Sequence, residues 1–354
     1  MGLNTINIID KLYKENIATR EELLYLLDNI DKDSINYLTE KANEVRMKTY
    51  KDKVYMRGLI EFTNYCVRDC KYCGIRKSNK DADRYRLTVE QIVNCAVLGD
   101  KLGYKTVVLQ GGEDPFFTDE IMVEIITKIK SILPNNAITL SIGERSYESY
   151  KKMFKAGADR YLLRHETATK TLYEKLHPNA SFENRRKCLE DLREIGYQIG
   201  SGFMIGLPEQ DNNSLVDDLI YTKQLKPHMC GIGPFIPHKD TPLNNEEGGT
   251  LEKTIIMIAI LRLLLPDTLL PATTSLGTID STGREKGIKA GANVVMPNLS
   301  PTDVREKYSL YDGKICTGDE AAECRMCIER RMNNIGFQID ISRGDSILWE
   351  KESK

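Results

Sequence analysis

The sequence predicts an α/β chain folded as a (β/α)8 barrel of the TIM type, with N-terminal helices before it and a cysteine-containing C-terminal extension after it. Three observations predict it. From residue 55 onward, short apolar runs alternate with amphipathic stretches at roughly 30-residue spacing, the rhythm of parallel βαβ units. Eight runs read as strands: Met56–Phe62, Thr106–Gln110, Ala137–Ile142, Arg160–Arg164, Gln198–Ile205, Met229–Phe235, Leu269–Thr274 and Asn293–Met296. Finally, two helix-to-strand turns share a phrase, Ala156-Gly157-Ala158-Asp159 and Ala290-Gly291-Ala292-Asn293, with Gly just past a helix end. Eight units close a barrel, and chemistry then belongs at the C-terminal ends of the strands. A partial barrel of six units with additions is the structural alternative.

Taken in order, the first fifty residues read as helix. Thr19 and Glu22 form a capping box ahead of Leu23, Leu24, Leu26 and Leu27. The next helix puts Ile35, Leu38, Ala42 and Val45 on one face. Thr88 and Gln91 open another helix, and Ile121, Ile125, Ile129 and Ile132 recur at helical intervals on a single face. Ile255 to Leu265 is the most apolar run, too short to span a bilayer, and reads as a buried helix. The expected division is a helical segment 1–50, a barrel 51–300 and a C-terminal extension 301–354.

The 354 residues are 41% apolar and 29% charged, the balance of a globular protein. Fifty basic against 52 acidic residues give a net charge of −2, no electrostatic case for a nucleic-acid or membrane partner. The opening MGLNTINIIDKLYKEN lacks the basic flank and long apolar core of a signal peptide, and Ile6 stands where myristoylation needs Ser or Thr. The expected location is the cytoplasm, where thiols stay reduced and nine cysteines do not suggest disulfides. Cys95, Cys188 and Cys230 stand alone in apolar or helical surroundings and read as core thiols. The other six form two groups of three.

Cys66, Cys70 and Cys73, spaced Cys-x3-Cys-x2-Cys, directly follow the first strand. Three thiolates in so short a loop can wrap an iron–sulfur cubane from one side and leave a fourth iron without a protein ligand. An open position is the mark of a reactive site, by the logic that separates catalytic from structural zinc. The bland alternative is a zinc site lacking its fourth ligand, or core cysteines; no His lies nearby.

This spacing, with the aromatic Tyr72 before the last Cys, resembles the signature of the radical S-adenosylmethionine (SAM) superfamily. The resemblance implies a 4Fe–4S cluster whose free iron chelates the methionine end of SAM. An electron from the cluster then cleaves the sulfonium to a 5′-deoxyadenosyl radical. Gln110-Gly111-Gly112-Glu113 closes the second strand and resembles the motif whose backbone receives the SAM amino group. Gly202-Phe-Met204-Ile205-Gly206-Leu-Pro208 resembles the strand beside the adenine.

Near the C-terminus, Cys316, Cys324 and Cys327 form Cys-x7-Cys-x2-Cys. This suits a second iron–sulfur cluster (2Fe–2S or 4Fe–4S), a zinc site, or three unrelated thiols; a cluster here would be accessory and outside the barrel. Further segments narrow the resemblance: Arg84-Tyr-Arg-Leu-Thr88, Leu109 to Pro115, Ala156 to Thr167, Ser181 to Arg185, Gly231 to His238, Pro271 to Ser275, and Ala292 to Asn298. Together they resemble HydE, a family of radical SAM maturases of FeFe-hydrogenase. The sequence departs at Gly111, where that family more often carries Ser.

By this resemblance, Glu166 and Arg185 hold the amino and carboxylate ends of SAM's methionine, a task suited to a bidentate guanidinium. By alternation, Arg160, Leu162 and Arg164 share a strand face, and Arg57 lies on the first strand. Guanidiniums inside a barrel are costly unless an anion meets them. Arg57, Arg160 and Arg164 are therefore expected to face anionic groups of a substrate, the alternative being internal Arg–Glu pairs (Arg164 with Glu166, Arg57 with Glu61). Thr139, Thr273 and Thr274 are expected as small polar walls, and Tyr308 and Tyr311 as closing residues at the mouth, with plain packing the alternative for the two tyrosines.

The resemblance implies an iron–cysteine complex bearing carbonyl and cyanide as the substrate, with the product feeding assembly of the hydrogenase's di-iron subcluster. It also implies work alongside the maturases HydG and HydF and an electron donor. The runner-up is a radical SAM amino-acid mutase of the methylornithine synthase type, or a biotin synthase-like enzyme. An iron–sulfur electron carrier without SAM chemistry is the reading from a different class, and it needs neither a large barrel nor interior arginines.

Overall fold

Three helices precede the first strand in the computed structural model, which describes residues 3–352: Thr5–Glu15, Arg20–Asn29 and Lys32–Tyr50. Each starts on a side chain that accepts an orphan backbone N–H: Asn4, Thr19 in its expected capping box with Glu22, and Asp31. The third buries Leu38, Ala42 and Val45 against Leu251–Leu264, a helix inside the protein on nearly every side. No helix among the described residues is long and apolar enough to cross a membrane.

The strands are β1 (Lys53–Met56), β2 (Gly58–Thr63), β3 (Thr106–Gly111), β4 (Ala137–Ser141), β5 (Arg160–Leu162), β6 (Gln198–Ser201), β7 (Met204–Ile205), β8 (Met229–Cys230), β9 (Gly233–Pro234), β10 (Val294–Val295) and β11 (Gln338–Asp340). β2-β3-β4-β5-β6-β8 is one parallel sheet. Parallel bridges carry the ring onward, Met229 to Leu269 and Pro271 to Val294. β10 beside β1, with a bridge from Leu59 to Asn298, closes it. The eight expected stations are therefore present. The first is broken at Arg57 into β1 and β2, the fifth into β6 and β7, and the sixth into β8 and β9.

Two local expectations change. The seventh station, expected as Leu269–Thr274, is reduced to bridges at Leu269 and Pro271. Pro271 has no N–H to give a ladder, and Thr273 turns the chain into a helix at Thr274–Ile279. In the helix Asp119–Ile132 the buried face is Met122, Ile125, Ile126 and Ile129, and Ile132 is 53% exposed. Met122 and Ile126 widen the apolar stripe and rotate its centre, so Ile121 and Ile132 fall at its edge. The capping box at Thr88 and Gln91 forms, and Gly157 and Gly291 take φ of 115° and 118° at their helix ends.

The C-terminal extension reaches the barrel floor. After the helix Ala321–Asn334, β11 pairs in parallel with the outer side of β1. Residues 343–346 then run under the N-terminal end of the ring. There Arg343 O accepts from Thr106 Oγ1 at 2.7 Å, and Ser346 N donates to Gln198 Oε1 at 3.2 Å.

Candidate active site

The loop after β2 owes its shape to residues that carry no thiol. Asp69 accepts from Ser78 N, Ser78 Oγ and Arg76 Nε at 3.0, 2.7 and 2.8 Å. Arg84 donates to the carbonyls of Asn64, Ile75, Arg76 and Asn79. Gly112 lies so close beneath that a Cβ there would stand 2.1 Å from Tyr65 O and 2.8 Å from Cys66 Cβ.

So braced, Cys66, Cys70 and Cys73 face one chamber of about 290 Å³ at the C-terminal end of the strands. Burial pushes the Cys66 thiol up, and burial with the neighbouring sulfurs pushes Cys70 up to about 12 and Cys73 well above its ordinary range. Three partly buried thiols that disfavour ionisation together are a donor set for a polycationic centre, whose charge offsets their repulsion. Among the described residues no three Cys, His, Asp or Glu side chains are placed to hold a single metal ion. Three thiols on one short loop, opening onto a chamber, fit a multi-iron cluster with one iron left open.

Of the expected SAM contacts, Tyr72, Gln110, Gly111, Gly112, Glu113, Glu166, Arg185 and Met204 line this chamber. Ile205 does not: it is fully buried, and its carbonyl accepts from Phe235 N in the β7–β9 pair. Arg164, Tyr308 and Tyr311 also line it, with Gln110 Nε2 donating to Tyr308 Oη at 3.3 Å. Tyr72 Oη donates to His177 Nε2 at 2.9 Å. Burial and the nearby Arg185 hold His177 neutral, its pKa lowered to about 3, and its Nδ1–H is given to Tyr173 O at 2.8 Å.

Charge is arranged in an alternating chain along one wall. Arg68 pairs with Glu113 and, at 2.9 Å, with Glu144; Glu144 Oε1 lies 2.7 Å from Arg185 Nε as an ion pair whose two atoms are not aligned for a hydrogen bond. Arg164 Nη2 stands 3.2 Å from Glu166 Oε2, as one alternative pairing had it. The angles there are poor, so Glu166 Oε2 and Arg164 Nε and Nη2 have no hydrogen-bond partner although buried. A ligand ammonium would complete Glu166, and an anionic ligand group would complete Arg164. Glu166 itself has φ of 66°, a backbone state rare for Glu. Arg68 and Glu144 were missed from sequence. Arg68 sits inside the cysteine loop, and Glu144 lies just past the end of β4, where catalytic-face residues are expected.

The expected convergence of Arg57, Arg160 and Arg164 is overturned. Arg57 and Arg160, with Thr139, line a separate water-sized cavity at the barrel floor, and Leu162 stands between it and the chamber. β5 ends at Leu162, so Arg160 lies on the strand near the floor and Arg164 beyond its C-terminal end, at the level of the chamber. Arg160 Nη2 bonds Asp345 Oδ1 at 2.6 Å, and its Nη1 bonds Thr106 Oγ1 at 2.9 Å. Arg57 meets Met229 Sδ and Gly344 O at 3.0 and 3.2 Å, not Glu61. Thr273 and Thr274 also fall outside the chamber, because the chain turns into a helix there. Thr273 Oγ1 meets Ser275 Oγ at 2.9 Å, and Ser275 is the residue that reaches the chamber.

Thr274 instead lines a second cavity of about 50 Å³ with Cys316, Cys324 and Cys327, at the rim where Glu61 of β2 faces Asn298. Arg284 Nη1 lies 3.7 Å from Cys316 Sγ. Lys314 crosses between the cavities, pairing with Glu61 at 2.6 Å and donating to Tyr308 O at 2.9 Å. The second group is thus gathered at one place, apart from the first, as its spacing suggested.

Comparison with known proteins agrees with this geometry. Residues 60–220 match the radical SAM superfamily. The chain is 47% identical to the FeFe-hydrogenase maturase subunit HydE of Thermotoga maritima, over 93% of this chain and 94% of that one. Among solved structures, methylornithine synthase (PylB) superposes with a TM-score of 0.83 at 26% identity, covering 94% and 97% of the two chains. The maturase HydG of Carboxydothermus hydrogenoformans shares the fold, with a TM-score of 0.82 at 23% identity, covering 95% and 79%. The chain belongs to the radical SAM superfamily and, within it, to the HydE family of FeFe-hydrogenase maturases.

Proposed function

We propose that this chain is a radical SAM maturase that holds a 4Fe–4S cluster on Cys66, Cys70 and Cys73 and binds SAM in the adjoining chamber. One observation carries the reading: the three thiols open onto the same space as Glu166 and Arg164, a loosely held ion pair whose Oε2, Nε and Nη2 make no hydrogen bond. When bound, the cluster supplies the electron that cleaves SAM to a 5′-deoxyadenosyl radical. The protein's part is to bind, orient and exclude water. Glu166 takes the methionine ammonium, and Arg185, steered by Glu144, takes its carboxylate. Met204 walls the adenine side. Tyr308 and Tyr311 shield the opposite side, where a radical is kept from competing reactions.

The substrate in this reading is an iron–cysteine carbonyl and cyanide complex on the way to the hydrogenase di-iron subcluster. Arg164 and Ser275 offer it charge-assisted and neutral hydrogen bonds, and Leu162 and Ile236 offer apolar contact for carbonyls. The expected partners are the maturases HydG and HydF and an electron donor, in the cytoplasm; the near-neutral charge gives no pull toward nucleic acid. Cys316, Cys324 and Cys327 hold an accessory second cluster. The test is anaerobic reconstitution, then dithionite, SAM and the iron–cysteine complex. The expected products are 5′-deoxyadenosine and a consumed complex. No deoxyadenosine from a fully loaded cluster refutes the radical reading; deoxyadenosine formed on a free amino acid, with the iron complex untouched, favours the amino-acid mutase.

A further inference from the structure

The helix Asn212–Leu225 sends one carboxylate, Asp218, into the interior behind the chamber wall, where it is fully buried. Its Oδ1 accepts the Ala168 amide N–H and stands 3.5 Å from His165 Nε2. Its Oδ2 accepts from Gln210 Nε2 at 3.5 Å. Gln210 in turn donates to Met204 O at 2.9 Å and accepts from Gly206 N at 2.7 Å through Oε1. One carboxylate therefore ties together two backbone segments, 164–168 and 204–207, that wall different parts of the chamber.

The first of these segments is under constraint. Glu166 has φ of 66°, and a non-glycine residue stays there only when its surroundings over-determine it. The ties are Glu166 N to Gly202 O at 3.0 Å, Met204 N to Glu166 O at 3.1 Å, and the Ala168 amide to Asp218. His165 Nδ1 meets Ser201 Oγ at 2.9 Å and steadies the same turn from β6. Asp218, His165 and Gln210 do not themselves line the chamber. A buried carboxylate is costly where packing alone would serve, so its hydrogen bonds are its reason for being there.

We propose that Asp218 is a positioning residue that couples the two ends of the SAM site, setting Glu166 through Ala168 and the Met204–Gly206 wall through Gln210. This rests on the reading of the chamber as the SAM site. It makes an asymmetric demand on substitutions. Asp218→Ala loosens both walls. Asp218→Asn keeps a carbonyl oxygen for the Ala168 amide but turns an NH2 toward Gln210 Nε2, which is already committed as a donor. Gln210→Leu loosens the 204–207 segment alone.

The test is calorimetric binding of L-methionine and, separately, 5′-deoxyadenosine to the cluster-loaded full chain, with iron content and melting temperature recorded for each variant. Asp218→Ala is expected to weaken both ligands about tenfold or more with iron content unchanged. Asp218→Asn should recover methionine binding to within about threefold of wild type and leave deoxyadenosine weak. Gln210→Leu should weaken deoxyadenosine only. If Asp218→Ala fails to fold, the Asn and Gln210 variants decide alone. The proposal is overturned if both ligands bind every variant within twofold of wild type, or if Asn and Gln210→Leu weaken both ligands equally. Wild-type enzyme that binds neither ligand overturns the chamber reading itself.

Discussion

Replacing Asp345 with Ala strips the barrel floor of an acceptor shared by three donors. Oδ1 takes Arg160 Nη2 at 2.6 Å and Gln198 Nε2 at 2.7 Å, and Oδ2 takes Arg343 Nε at 3.0 Å. Arg160 is 3% exposed, so its charge would stay buried. Breaking a buried pair on one side costs about 3–5 kcal/mol. Arg160 keeps Thr106 Oγ1 and Arg343 O, both at 2.9 Å, which favours the lower end, about 3 kcal/mol. At about 2.1 cal/mol/K per residue, 354 residues give an unfolding entropy near 0.7 kcal/mol/K, so the melting temperature should fall by roughly 4 °C. The assay is a circular-dichroism melt with hydrogen exchange over 338–352, where protection should drop further because the extension can open alone. Arg160→Met with Asp345→Leu should recover most of the loss, since an apolar pair of similar volume replaces the ions. A melt within 1 °C of wild type, with the extension equally protected, would refute the reasoning. The pH dependence has a definite sign. Burial raises the Asp345 carboxyl, but the charge of Arg160 and the bonds from Arg343 and Gln198 outweigh it, and the group lies well below its ordinary range. Its stabilisation is therefore complete above the unfolded value of about 3.9 and is lost as pH falls through the folded one. The difference between wild type and Asp345→Asn should hold steady from pH 8 to about 5 and shrink only below about pH 4.

Two further substitutions probe the cluster sites. Gly112→Ala places a Cβ 2.1 Å from Tyr65 O, so the Cys66 backbone must move; iron loading should drop severalfold. Gly318→Ala, with nothing within 4 Å of the new Cβ, should load normally, and equal iron contents for the two would contradict the packing argument. Replacing Cys324 and Cys327 with Ala should leave deoxyadenosine formation within about twofold of wild type, because their cavity is separate from the chamber. Loss of cleavage with the first cluster still loaded, read by electron paramagnetic resonance, would show the second group to be essential.

What the sequence determined alone was whatever is written in local spacing. The βαβ rhythm, the capping boxes at Thr19 and Thr88, the glycine helix ends and the three-cysteine loop each depend on residues within a few positions of one another, and each appears as expected. Alternation also turned Arg160, Leu162 and Arg164 toward the interior of the ring, although the strand itself ends at Leu162 and Arg164 lies beyond it. It could not say that they stand at different depths, because period two gives direction and not height within a closed ring. Only the tertiary structure brought Asp345 to Arg160 across 185 positions and joined Arg68, Glu113, Glu144 and Arg185 into one charged wall. The same closure gave Asp218 its place behind the turn at Glu166. Such contacts are fixed by which distant segments the ring brings together, and no local pattern encodes that.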